Sequence, residues 1–349
     1  MRGNSRIESM NTELFDLSGQ VMWNEIVRSA GGHIFQTFHW ANVAEKGGMK
    51  PVPIMIDNKA VLMTYVSPFF SARSLGLVWN ALTIPRGPVF KDGLFNRQIF
   101  LQFLKTIDFH AVQNRAVVCN FFPNRPFEDT ETHGNLMNAG FKPVFEAGSF
   151  HTQTFVLDCR NSLEELLRAM EKRTRWAIRK AERSGVQIEE KSDYLGMDQI
   201  YGLYEKTVPA PLSKEFFKTV IDALASKGLA RIFFAKVGTS VVSTAFLLMF
   251  GDTMFYVWGG SEKLANRSCP GESLHWKIIQ WGKEHGYRFY DFHGALVADA
   301  QLYRAEDKTA SVSLFKRGFG GTFVRYLAEY RKVYSRIRYK TASTMRRLA

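Results

Sequence analysis

The chain has 349 residues, 46% hydrophobic and 14% aromatic, and carries a formal net charge of +13. This length suits two domains, the apolar content excludes a disordered chain, and no run approaches the 18 apolar residues of a membrane span. Three distant cysteines, Cys119, Cys159 and Cys269, argue against a disulfide framework or a zinc knuckle, and no apolar stretch follows Arg2 and Arg6 as in a signal peptide, so a cytoplasmic protein is expected.

Taken in chain order, Pro53–Ile56 and Ala60–Val66 read as paired strands, followed by a helix near Leu94–His110, a strand Ala116–Phe121 and a helix near Thr130–Ala139. Phe150–Leu157 alternates like another strand. Asn161 or Ser162 then offers a helix N-cap, with Glu164 and Glu165 in the first turn. Read as one helix at about 100° per residue, 163–183 places Leu163, Leu166, Leu167, Met170, Ala177, Ile178 and Ala181 on one side. Arg168, Lys172, Arg175, Arg179 and Arg183 form a stripe opposite; a break near Arg173 would rotate one half against the other. Gly185 stops the helix and Val186–Glu189 resumes as a strand. The second half holds strands Ile232–Val237, Val241–Phe250 and Thr253–Trp258, a helix Glu272–His285 and a strand Arg288–Phe292. Paired strands precede a helix and a further strand in both halves, so the grammar predicts an α+β fold whose mixed-sheet unit occurs twice.

Standard catalytic signatures are absent: there is no GxSxG elbow, P-loop or HExxH, and the eight histidines lack ligand spacing. Neither a metal nor a cofactor is expected. Positive charge concentrates in two places. Residues 325–349 carry a net +7, and Lys172, Arg173, Arg175, Arg179, Lys180 and Arg183 face only Glu182. RNA, anionic lipid headgroups and phosphorylated small molecules all suit such clusters, as does the plain role of a solvated helix face.

An ordered set of motifs runs from Phe255 to Tyr330. It reads Phe255-Tyr256-Val257-Trp258-Gly259-Gly260-Ser261, then the helix Ser273–Trp281, then Gly286-Tyr287-Arg288-Phe289-Tyr290-Asp291-Phe292-His293-Gly294, then Leu314-Phe315-Lys316-Arg317-Gly318-Phe319-Gly320-Gly321. This resembles the FemABX peptidyltransferases, in which an aromatic strand, a helix ending in "hG", a "YDFxG" strand end and an "FKxxFGG" segment follow in this order. The basic helix Lys172–Ser184 before Gly185-Val186 is similar to that family's "kxGv" step. Residues 150–330 carry the resemblance, and Phe35-Gln36-Thr37-Phe38-His39-Trp40 matches more loosely. The resemblance implies two tandem GNAT-like domains, each a mixed twisted sheet flanked by helices. The first would span 1–152 with about 320–349 returning to complete it, and the second 153–319. Too few residues separate Glu205 from Ala230 for the helical arm some members carry.

The resemblance further implies an aminoacyltransferase that moves an amino acid from aminoacyl-tRNA to an amine of a peptidoglycan precursor, nucleotide- or lipid-linked, as a monomer. Direct aminolysis of an activated ester needs no enzyme nucleophile, so positioning and electrostatics carry the rate. Lys316 is the candidate cation near the developing oxyanion or the terminal phosphates of the tRNA, and by resemblance the carbonyl of Phe315 accepts the proton of the attacking amine. Asp291 and His293, at a strand end, are candidates for orienting the acceptor, or else an ordinary cap and a hydrogen-bonded histidine. Tyr256 and Trp258 alternate on their strand and are expected to line one face. Trp40, Lys46 and Thr207 complete the candidate substrate site, and Lys172, Arg173, Arg175, Arg179, Lys180 and Arg183 the candidate tRNA site. Where compact relatives lead one to expect Thr-x-Arg, this chain has Thr207-Val208-Pro209, which puts the acceptor in doubt because Pro cannot grip phosphate. Two alternatives stay open. One is an acyl-CoA-dependent N-acyltransferase, for which Arg267-Ser268-Cys269-Pro270-Gly271-Glu272 is a pyrophosphate loop with one residue too many and an acid in place. The other is a non-catalytic protein binding RNA or an anionic membrane surface, the basic C-terminus also suiting peripheral contact with the inner face of the membrane.

Overall fold

The computed structural model describes residues 16–72, 77–144, 152–191, 197–207, 211–262, 268–295 and 308–348. The chain forms two compact units, residues 1–145 with 327–349, and residues 146–326. In chain order the first unit contributes helices α1 (Leu17–Ser29) and α2 (Phe38–Lys46), strands β1 (Lys50–Ile56), β2 (Ala60–Ala72), β3 (Leu77–Gly87) and β4 (Val89–Phe90), then α3 (Arg97–Gln113), β5 (Ala116–Pro123), α4 (Thr130–Asn138) and β6 (Lys142–Val144). The second unit runs β7 (Gln153–Asp158), α5 (Leu163–Ala169), α6 (Lys172–Arg183), β8 (Gln187–Lys191), α7 (Met197–Thr207) and α8 (Lys214–Leu224). It continues with β9 (Ala230–Val237), β10 (Ser240–Phe250), β11 (Thr253–Ser261), α9 (Pro270–Glu284), β12 (Phe289–Asp291), α10 (Lys308–Arg317) and β13 (Thr322–Arg325). Finally β14 (Glu329–Val333) and α11 (Arg336–Leu348) rejoin the first unit.

The two sheets share a plan. In the first, antiparallel β1, β2 and β3 are followed by β5, which pairs parallel to β3 after the crossover through α3. In the second, β9, β10 and β11 are followed by β12, parallel to β11 after the crossover through α9. A parallel neighbour needs such a helical connection, so the strand-helix-strand order dictates it. Beyond that point each sheet takes its next strand from a distant part of the chain. β14 pairs antiparallel with both β5 and β6, and β7 pairs antiparallel with both β12 and β13. The expected boundary at about residue 320 therefore moves, because β13 belongs to the second sheet and the return to the first unit starts at Leu327.

Each unit has its own core. In the first, Phe100, Phe103 and Ile107 of α3 pack on Leu62, Leu82, Ile84, Phe121 and Tyr330 of the sheet. In the second, Leu166 of α5, Ile178 of α6 and Leu274, Ile278 and Ile279 of α9 pack on Phe233, Leu247, Met254 and Tyr290. The helices α7 and α8 cover the other face of that sheet, where Phe217 meets Phe246 with ring centroids 5.5 Å apart.

The single helix read over 163–183 is two helices. Met170 and Glu171 are extended, with ψ of 151° and 148°. Ser162 closes α5 at its start with a capping box, its hydroxyl accepting from Glu165 N–H at 3.2 Å while the Glu165 carboxylate accepts from Ser162 N–H at 2.8 Å. Arg175 turns back and donates to the carbonyls of Met170 and Arg168, satisfying groups freed where α5 ends. Arg175 thus leaves the basic stripe for a structural role.

Candidate active site

In the second unit, the last turn of α10 carries Phe315-Lys316, and Gly318 ends the helix with its N–H donating to Leu314 and Phe315 carbonyls at 3.1 and 3.2 Å. Gly320 follows with φ of +80°, and a Cβ there would lie 2.6 Å from the Ala169 carbonyl oxygen. The Gly318-Phe319-Gly320-Gly321 run is therefore a chain reversal that glycine alone fits without strain. It points Lys316 inward. Its side chain is only 5% exposed, and Nζ donates to the carbonyl oxygens of His293 at 2.8 Å and Gly294 at 2.5 Å. An ammonium has three donors, and among the described residues two of them go to these carbonyls. Burial pushes the Lys316 pKa down to about 8, with the Asp291 carboxylate opposing the fall.

Asp291 and His293 are brought to this point by β12. The Asp291 carboxylate accepts from Thr154 Oγ1 at 2.5 Å and from His293 N–H at 2.8 Å, which supports His293 at a φ of +45°. Asp291 thus holds the strand end whose carbonyls hold Lys316. His293 engages Lys316 through its backbone rather than its ring.

Tyr256 lies beneath the lysine, with Nζ 5.5 Å from its ring centroid, an electrostatically favourable placement for a cation. Burial raises the Tyr256 hydroxyl to about 12. Its ring meets His275 edge-on at 4.5 Å, and His275 in turn contacts Phe315 at 5.3 Å. His275, on α9, shares a 2.7 Å hydrogen bond between Nδ1 and the Tyr290 hydroxyl. Burial, aided by the Lys316 charge, pushes His275 down to about 3, so it is neutral at physiological pH. The sequence reading missed His275 and Tyr290. The signal was a histidine on the apolar side of α9 beside Leu274, a pattern that marks a core position as readily as a site.

The shared face expected for Tyr256 and Trp258 does not exist. A register shift in the β10–β11 pairing puts Tyr256 opposite Leu247 and Trp258 opposite Phe246, leaving Val257 as an extra residue. Neighbours on β10 point to opposite faces. Tyr256 therefore joins the core with α9, whereas Trp258 joins Phe216 and Phe217 of α8 and Phe246, at 5.9, 5.0 and 5.1 Å. Thr207 belongs to that second side as well. Its hydroxyl donates to the Leu203 carbonyl at 2.7 Å, and a Cβ at Gly260 would come within 2.6 Å of that carbonyl and 2.9 Å of Thr207 Oγ1. Gly260 is what lets α7 lie directly on β11. Pro209 and Arg267 lie outside the described residues.

Around α6, Lys172, Arg173, Arg179 and Arg183 are exposed and Lys180 sits 4.8 Å over the ring of Trp176, itself 53% exposed. Arg173 and Lys180 also act electrostatically on Cys269, just ahead of α9, so this basic surface borders the start of that helix. The edge of Phe315 lies beside the same turn, 3.5 Å from where a Cβ of Gly271 would be.

In the first unit, Phe35-Gln36-Thr37-Phe38-His39-Trp40 serves local architecture. Buried Gln36 accepts from Met63 N–H at 2.8 Å and donates to the carbonyls of Met63 and Pro85, while Thr37 caps α2 by accepting from Trp40 N–H. Trp40 packs on Phe35 at 4.7 Å, and exposed Lys46 lies about 240° further round α2. These two candidates do not converge. Among the described residues no group of three or more His, Cys, Asp or Glu forms a metal site, and no helix is long and apolar enough to cross a membrane.

Residues 168–305 match the GNAT acetyltransferase domain. The aminoacyltransferase FemA of Staphylococcus epidermidis is 25% identical over 107 residues, 31% of this chain and 25% of the relative, so the chain matches about a quarter of that relative's length. The crystal structure of FemX superposes with a TM-score of 0.77 at 17% identity, covering 92% of this chain and 98% of FemX. The C-terminal domain of a putative lysylphosphatidylglycerol synthetase from Agrobacterium fabrum gives 0.55 at 13% identity, covering 94% and 96%. The fold is accordingly a pair of GNAT-like domains, residues 168–305 match the GNAT acetyltransferase domain, and the chain is similar in sequence to FemA and in fold to FemX.

Proposed function

We propose that the chain is an aminoacyltransferase that transfers an amino acid from aminoacyl-tRNA to an amine of a peptidoglycan precursor by direct aminolysis. The observation that carries this reading is the buried ammonium of Lys316, fixed among the described residues by two carbonyls. The acceptor amine adds to the ester carbonyl carbon, forming a C–N bond, and negative charge develops on the carbonyl oxygen. The tetrahedral intermediate collapses with loss of the ribose oxygen, which takes up the proton the amine gives away. A preorganised cation in a site largely closed to water stabilises that charge far more than a solvated one would. The Phe315 carbonyl has a second lone pair beyond its bond to Gly318, and we assign it as the hydrogen-bond acceptor that orients the amine N–H before that proton passes to the ribose oxygen. The exposed cations of α6 beside Trp176 suit the phosphates and bases of a tRNA end. Transfer is proposed to occur in the cytoplasm.

The test is a panel of charged tRNAs and wall precursors, with acetyl-CoA as the competing donor. Turnover with charged tRNA alone is expected. The GNAT-domain match favours one second reading, transfer from acyl-CoA, with pyrophosphate at the start of α9. Glu272 in the first turn of α9 opposes an anion there. Transfer from acetyl-CoA without tRNA would establish that alternative. Salt-sensitive RNA binding without turnover on any donor would leave a binding protein.

A further inference from the structure

The last helix, α11, is basic and amphipathic in a way that α6 is not. Between Glu329 and the end of the chain there is no acidic residue. One side of α11 is fastened to the first sheet. Ala342 is fully buried, Tyr339 stacks on Phe69 at 5.4 Å and 10°, and the Tyr339 hydroxyl lies 3.3 Å from Arg331 Nη1. Arg331 is itself bonded to buried Glu329 at 2.8 Å and to Asn120 at 3.0 Å, so the rotation of the helix about its axis is set from beneath.

With Tyr339 and Ala342 inward, the crest on the far side at about 100° per residue consists of Ile337, Thr341 and Thr344. Ile337 is 81% exposed, and Met345 on the flank is 48% exposed. Arg336 and Lys340 border the crest on one side and Arg338 on the other, all exposed, with no acidic group at ion-pair distance among the described residues. An exposed isoleucine ringed by cations adds nothing on a phosphate backbone. At the boundary of an anionic bilayer, the aliphatic crest enters the acyl region while the long cationic side chains reach the headgroups. Stacking on a single-stranded nucleic acid would use an aromatic, and the aromatic of α11, Tyr339, is turned to the sheet. The crest of α6 is the converse, cations around exposed Trp176 with no aliphatic.

We propose that α11 is a peripheral docking helix for an anionic lipid bilayer, lying in the headgroup plane with Ile337 inserted and Arg336, Arg338 and Lys340 on the lipid phosphates. This holds whatever acyl donor the second unit uses. The full chain is tested by co-sedimentation with phosphatidylcholine vesicles with and without phosphatidylglycerol. Binding to the anionic vesicles alone is expected, weakening as salt rises. Ile337→Ser is expected to reduce it about tenfold and Lys340→Gln about fivefold. Lys105→Gln, on exposed α3 surface, should leave it unchanged. Thermal unfolding of each variant, unaltered because these side chains are exposed, verifies the fold. No binding to anionic vesicles overturns the proposal. So does binding insensitive to Ile337→Ser, which is bare adsorption of cations. A third overturning result is protection of α11 amides from hydrogen exchange by tRNA but not by vesicles.

Discussion

Lys316 shows how a side chain that reads in sequence as a helix-end lysine becomes a chemical group. Below pH 8 its ammonium is charged in both folded and unfolded chains, and its burial opposes folding in full. Between about 8 and the ordinary lysine value of 10.5 the folded chain releases its proton first, and that opposition fades as pH rises. Activity should move the other way. If the cation stabilises the oxyanion, transfer falls as pH rises through about 8, and Lys316→Met lowers kcat by about 10²–10³ while its pH profile loses that basic limb. Steady-state kinetics across pH 6.5–9.5 with charged tRNA reads both effects. For His275 the stability sign is the same, in a lower window. The folded ring stays neutral to about pH 3, whereas the unfolded one takes up a proton near 6.5, so stability is lost as pH falls through that window. The slope is about 1.4 kcal/mol per pH unit. His275→Gln should remove about one proton's worth of slope from the acid unfolding of the second unit, leaving any contribution of buried His33 in the first.

At the level of elements, the strands with clear alternation were legible from sequence because period-2 patterning and the sheet pleat are the same fact. β3 was not, since Asn80, Pro85 and Gly87 interrupt an apolar stretch that is a strand only because β2 and β5 flank it. The bulge at Val257 was equally hidden. Alternation assigned Tyr256 and Trp258 to one face, and one extra residue sent them to two. Glycine positions carry the clearest prediction here. Gly320→Ala adds a Cβ 2.6 Å from the Ala169 carbonyl at a φ of +80°, and should destabilise the second unit by more than about 2 kcal/mol. Denaturant titration measures this, and turnover should drop further than stability requires because the reversal aims Lys316.

For the molecule as a whole, the consequential feature is the return of the chain at Leu327. β14 sits between β5 and β6, with Tyr330 opposite Phe121 and Pro143 and almost fully buried. Lys332 is tied to Asp108 of α3 at 2.7 and 2.8 Å, and Tyr334 reaches the same carboxylate at 2.8 Å. Ending the chain after Tyr326 should therefore abolish the folding of the first unit, because an interior strand and its core aromatic are lost together. Hydrogen exchange should show β5 amides unprotected while β10 amides of the second unit keep their protection.

Local chemistry in the sequence was enough to determine the repeated strand-helix-strand plan, the capped start of α5 and the basic helices, each of which follows from periodicity, capping or charge within a few residues. Lys316 came to notice through the resemblance of its Phe-Lys segment to the FemABX motif. Only tertiary structure decided that Lys316 is buried on the His293 and Gly294 carbonyls, that Arg175 caps a helix, that Trp258 and Thr207 lie on the far face, and that β14 completes the first sheet. Those outcomes depend on groups brought together from distant parts of the chain, and burial, which shifts a lysine to about 8, is a property of the packed surroundings rather than of the residue.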